Sequence, residues 1–148
     1  MTFQVGDIPF FKEYQFTDSG ESAPHFALVL LPETATKYQN SILCCVITSR
    51  LPKKWHLALE KKDYPFLIFR SFVCFDRKDL VSMNGLDDFP QPKGKLNQDD
   101  FKKGFKILVK SLFVIKDMAN EPFLRGTIIY EWKQALKSKN IGHNSFKK

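Results

Sequence analysis

The spacing of apolar residues changes once along the chain, near Asn97, and no other feature limits the fold as much. Upstream, apolar residues come in short runs rich in β-branched and aromatic side chains, the lengths and residue types of strands. Downstream, Phe101, Phe105, Leu108, Leu112 and Ile115 recur at intervals of four and three residues, one stripe of an amphipathic helix. Asn97 reads as the N-cap of that helix, with Asp99 and Asp100 complementing the positive end of its dipole. A second helix starts near Pro122, a residue tolerated in a first turn, and carries the stripe Leu124, Ile128, Trp132 and Leu136. Asn140–Gly142 is expected to end it, with a disordered tail beyond.

The strand region divides at polar and proline-containing stretches. Val5–Phe11 is a strand interrupted by Pro9, which puts it at an edge or at a bulge. Thr17–Pro24 is a polar loop, Phe26–Leu31 a buried strand, and Thr34–Asn40 a helical turn or a connection. Ser41–Ser49 is the strongest strand signal, followed by Trp55–Leu59, a turn at Lys61–Pro65, and strands at Phe66–Phe69 and Phe72–Phe75. Gly85–Gly94 reads as the loop that separates strands from helices. Short strands with turns between them suggest a small barrel or sandwich.

At 148 residues the chain is long enough for one sizeable core. Its longest apolar run, Phe26–Pro32, is far short of the roughly 20 residues a membrane-spanning helix needs. The N-terminus lacks the basic and apolar regions of a signal peptide, so a soluble, cytoplasmic protein with no membrane partner is expected. Cys44, Cys45 and Cys74 cannot build a disulfide framework, and adjacent strand residues face opposite sides of a sheet. They read as small buried side chains. With His25, His56 and His143 scattered and no metal-ligand motif, no metal and no cofactor are expected.

The net charge of +7 is unevenly placed. Residues 1–50 carry 3 basic and 5 acidic side chains, residues 51–100 carry 9 and 8, and residues 101–148 carry 11 and 3. The basic last third either attracts a polyanion such as RNA or is a solvated lysine face on packed helices.

Four motifs in order point to a family. Val5-Gly6-Asp7-Ile8, a polar loop and then Pro24–Leu30 resemble the opening of PemK/MazF-like toxins: a G-D-[IV] strand, a mobile loop and an R-P-[AV]-[LV]-V strand. Cys45–Ser49 is similar to the family strand ending in [IV]-T-S, and Ser71–Asp76 to its S-x-V-x-x-D strand. Lys95-Leu96 before the helix resembles the family's G-x-L turn. The resemblance spans about residues 3–116 and divides the chain into residues 1–116, a PemK-like barrel with its terminal helix, and residues 117–148, a helical extension with a basic tail.

The resemblance implies a small SH3-like barrel, usually homodimeric. It also implies a metal-free endoribonuclease that cuts single-stranded RNA and is silenced by a partner antitoxin. Thr48 matches the family's catalytic threonine, Ser49 its polar neighbour, and Asp76 an acidic position used in some members. The bland reading is that Thr48 and Ser49 satisfy a strand end and that Asp76 pairs with Arg77 or Lys78. His25 stands where the family has arginine. A histidine can serve as general acid or base, but charge for the phosphate must then come from elsewhere, with Arg50, Lys53 and Lys54 as candidates. Trp55 is the candidate base-stacking side chain. The alternative is a catalytically degenerate barrel that binds RNA or a protein. The extension carries an apolar stripe that must be buried, so packing is its first role.

Overall fold

The computed structural model describes residues 3–36, 40–50, 54–83 and 90–146, with side chains as far as residue 138. Six strands come first: β1 (Asp7–Gln15), β2 (Ser22–Leu31), β3 (Ser41–Thr48), β4 (His56–Leu59), β5 (Ser71–Ser82) and β6 (Pro92–Lys95). Helix α1 (Gln98–Val114), a 3₁₀ turn (Met118–Asn120) and helix α2 (Pro122–Phe146) follow. The strands form one antiparallel sheet in the order β4-β5-β3-β2-β1-β6, so the fold is mainly β with helices added at the end.

The continuous apolar runs of β2 and β3 reflect burial on both faces. Leu28, Leu30, Leu43, Cys45, Ile47, Val73 and Phe75 join the larger core, with Phe101, Leu108, Leu112, Ile128 and Trp132 of the helices. Ala27, Val29, Cys44, Val46 and Cys74 point the other way, into a second core. That core is covered by Phe3, Phe11, Tyr14, Val81 and Met83, so the sheet curls over its own inner face. Side chains close the curl between strands that are not ladder neighbours. The Tyr14 hydroxyl donates to Asp79 Oδ2 at 2.7 Å, the Thr17 amide donates to Asp79 Oδ1 at 2.9 Å, and the Leu80 amide donates to Thr17 Oγ1 at 2.9 Å. Cys44 and Cys45 thus lie on opposite faces; Cys74 shares the Cys44 side, and all three thiols are free.

Several boundaries move. Pro9 sits at the irregularity where β1 meets β6, an edge strand, in keeping with its missing amide. β6 itself occupies the end of the segment read as a loop, and residues 84–89 lie outside the described residues, as do 37–39. β2 begins at Ser22 rather than Phe26, which takes Ser22–Pro24 out of the loop and puts His25 inside the strand. Phe66–Phe69 is not a strand. Tyr64 and Leu67 are buried three residues apart and the Leu67 amide donates to the Tyr64 carbonyl, a turn geometry that leaves Ile68 and Phe69 exposed.

Gly6 has φ +92°, a left-handed turn beside β1 in which a Cβ would lie 2.8 Å from the Phe101 ring. Helix α1 starts at Asn97, whose side chain accepts from the Asp100 amide at 2.8 Å. Tyr64 ties that end down: its hydroxyl donates to Asp100 at 2.6 Å and accepts from the Asn97 amide at 3.1 Å. Burial and the Asp100 carboxylate hold this phenol protonated far above its usual range. The helix crosses the sheet at Gly104, where an added Cβ would crowd Leu57 and Phe75. Helix α2 buries Leu124, Ile128 and Trp132, and the Trp132 indole donates to the Leu30 carbonyl at 3.0 Å. Its backbone continues to Phe146, so Asn140–Gly142 does not end it; Lys147 and Lys148 lie outside the described residues. Among the described residues no helix is long and apolar enough to cross a membrane.

Candidate active site

β5 pairs with β3 in two registers. Phe72 and Val73 face Thr48 and Ile47, whereas Lys78 onward faces Cys45 onward. The four residues Cys74–Arg77 therefore span the single residue Val46, a bulge of three extra residues that turns β5 away from β3. On its other side β5 pairs with β4 from Ser71 to Cys74, which places His56 directly across from Cys74, the first residue of the bulge. The Phe75 amide donates to the Trp55 carbonyl at 3.1 Å, and Trp55 is held at φ +73°, a strained conformation for a bulky side chain. The bulge and this kink together put Asp76 beside His56, with Nε2 and Oδ1 3.0 Å apart.

Beyond the bulge, strand alternation resumes. Lys78 points to the helices, where its fully buried Nζ donates to the Phe75 carbonyl at 2.7 Å and to Asp117 at 3.2 Å. Asp79 points to the inner core and holds Tyr14, whose phenol is pushed well up by burial and by the neighbouring acid groups. Asp76 thus pairs with His56 and with neither of its two basic neighbours in sequence.

A cavity of about 420 Å³ opens at the bulge, lined in part by Phe16, His25, Thr48, Arg50, His56, Cys74, Asp76 and Arg77. His25 on β2, opposite Phe11 of β1, meets Phe16 edge-on at 5.4 Å and Tyr14 at 6.3 Å. Partial burial lowers its pKa below the usual 6.5, and the nearby Arg50 and Arg77 lower it further, against a backbone hydrogen bond to Ile47 that raises it. The ring is therefore mostly neutral at pH 7. Thr48 ends β3 half-buried, its hydroxyl accepting from the Arg50 amide at 3.2 Å. Arg77 lies over the Phe16 ring at 4.3 Å and donates through Nη2 to Asp18 at 2.8 Å. Its Nε is buried and has no hydrogen-bond partner among the described residues.

The structure brings His25, Thr48, Arg50 and Asp76 to one cavity. Ser49 is exposed and does not line it. Lys54 is exposed with its ammonium 4.8 Å over the Trp55 ring, and Trp55 packs half-buried against the larger core instead of standing free as a stacking surface. Lys53 lies outside the described residues. His56 and Arg77 are among the cavity residues that sequence reasoning passed over. The signal for Arg77 was its place next to Asp76; for His56 only the β4–β5 register supplies it.

These groups match a particular chemistry. A neutral imidazole can accept a proton, a histidine steered by a carboxylate can return one, and two guanidinium groups can balance a phosphate. No family model matches the sequence, and no curated protein matches it. In three dimensions the chain is similar to MazF from Deinococcus radiodurans, with a TM-score of 0.55 and 16% identity over 76% of this chain and 97% of that one. It is also similar to the Mycobacterium tuberculosis toxin MazF-mt6, with a TM-score of 0.50 and 13% identity over 74% of this chain and 99% of that one. Nearly the whole of each neighbour has a counterpart here, and the chain has the MazF-like fold.

Proposed function

We propose that the protein is a MazF-like toxin, an endoribonuclease that cleaves single-stranded RNA without needing a metal. The observation that carries this reading is the gathering of two histidines, a threonine hydroxyl and two arginines around one cavity in a MazF-like fold. In the reaction the ribose 2′-oxygen attacks the adjacent phosphorus and the bond to the 5′-oxygen breaks, leaving a 2′,3′-cyclic phosphate and a 5′-hydroxyl. His25, neutral at pH 7, takes the 2′-hydroxyl proton. His56, oriented by Asp76, gives a proton to the departing 5′-oxygen. The Thr48 hydroxyl donates to a non-bridging oxygen, and Arg50 and Arg77 balance the charge that grows on the phosphorane. Arg77 thereby stands in for the family arginine that His25 replaces.

In the same reading residues 1–116 carry the reaction and residues 117–148 complete the core. The toxin acts as a cytoplasmic homodimer and is silenced by an antitoxin protein. The test is incubation of the purified full chain with a long single-stranded RNA in EDTA. Cleavage is expected, with cyclic phosphate ends, and His25→Ala, His56→Ala and Thr48→Ala should each reduce it by about 10²–10⁴-fold. RNA binding that weakens with salt but gives no cleavage would instead select the degenerate binding barrel.

A further inference from the structure

We propose that His56, Cys74 and Asp76 form a binding site for a borderline-soft divalent ion, zinc above all, and that the ion opposes RNA cleavage. The geometry comes from strand register. His56 and Cys74 are directly paired across β4 and β5, and Asp76 follows Cys74 by two residues in the bulge. A ring nitrogen of His56, the Cys74 Sγ and a carboxylate oxygen of Asp76 all lie within 4.8 Å of one another. Two ligands about 2.0–2.1 Å from a tetrahedral zinc stand roughly 3.3 Å apart, and the His56–Asp76 pair is already at 3.0 Å. The sulfur has to approach by roughly 1 Å, a change within reach of a side-chain rotation. No sequence motif announces the site, because His56 joins Cys74 and Asp76 only through pairing between strands.

The donor set decides the metal. Thiolate, imidazole and carboxylate suit zinc, whereas magnesium and calcium favour all-oxygen shells. All three side chains line the cavity, which gives an entry path and leaves a fourth position for water. Arg50 and Arg77 face the same cavity and disfavour a cation, while Glu21 favours one; the charges of thiolate and carboxylate cancel those of a divalent ion. Binding releases the thiol proton to solvent and breaks the His56–Asp76 hydrogen bond. The inhibitory half of the proposal rests on the endoribonuclease reading, since the ion then occupies the nitrogen and oxygen that the proton-donating pair uses. Metal binding itself does not depend on that reading.

The full chain, stripped with EDTA and then freed of the chelator, is titrated with Co²⁺. Visible d–d bands of a tetrahedral ion and a near-ultraviolet thiolate charge-transfer band are expected, both bleached by one equivalent of Zn²⁺ and unchanged by Mg²⁺. Cys74→Ser should remove the charge-transfer band, Cys44→Ala should keep it, and His56→Gln should weaken zinc binding by about 10-fold or more. His56→Gln also serves if Cys74→Ser does not fold. Absence of the bands, or a charge-transfer band that survives Cys74→Ser, overturns the site. RNA cleavage that persists at zinc concentrations saturating the cobalt assay overturns the inhibition. A protein that shows the bands but never cleaves RNA upholds the site, and overturns both the inhibition and the endoribonuclease reading.

Discussion

His25 is surrounded by groups that resist its protonation: the rings of Tyr14 and Phe16, and the charges of Arg50 and Arg77. Glu21, His56 and Asp76 line the same cavity. With its folded pKa below 6.5, the unfolded chain binds the extra proton first, so His25 lowers stability as pH falls from 6.5 through the folded value and adds no further loss below it. A base that must be neutral follows the same titration. The acid limb of the kcat/KM profile should therefore lie below pH 6.5, and a limb above 6.5 would remove His25 from the role. Arg77→Lys keeps the charge but loses the planar fork, and should lower cleavage by about 10-fold or more while RNA binding changes little. His25, Thr48 and Asp76 were legible in the sequence because they lie on strands whose motifs keep their order. The partner of Asp76 was not, since a histidine twenty residues away in sequence reaches it only through a bulge that no local pattern encodes.

Among the elements, α2 is the one whose burial most changes how the chain must be handled. Trp132 lies 4.4 Å from the Phe101 ring, centroid to centroid, and is fully buried, so Trp132→Ala should cost about 3–5 kcal/mol in urea unfolding. Lys78 and Asp117 hold the connection between the helices onto β5, and Lys78→Ala should cost about 3 kcal/mol because it leaves Asp117 without its ammonium partner. The helices were readable because their period, the Asn97 cap and Pro122 agree. β6 was not, because a strand of Pro-Lys-Gly-Lys has no apolar pattern and exists only by pairing with β1. Nor was the turn at Phe66–Phe69, where four apolar residues imitate a strand while only Leu67 among them is buried.

At the scale of the whole molecule, charge and stability are carried by the same helices. The residues that supply the strands are close to neutral overall, while Lys102, Lys103, Lys106 and Lys110 stand exposed on α1. Removing everything after Ile115 would take Trp132 out of the core and unfold the protein, so the role of the positive charge has to be tested with the helices in place. Replacing those four lysines with glutamine should leave the melting temperature within a few degrees and lower the slope of log K against log salt by up to about 3 if they meet RNA phosphates. An unchanged slope would make them a solubility feature. The adjacent thiols of Cys44 and Cys45 offer a different kind of measurement. Each is buried in one of the two apolar layers that β3 separates, and burial suppresses the reactivity of both. With one such cysteine kept and the others replaced, alkylation would time the opening of each layer separately. Equal rates would show the layers breathing as one cooperative unit, and unequal rates would show which gives way first.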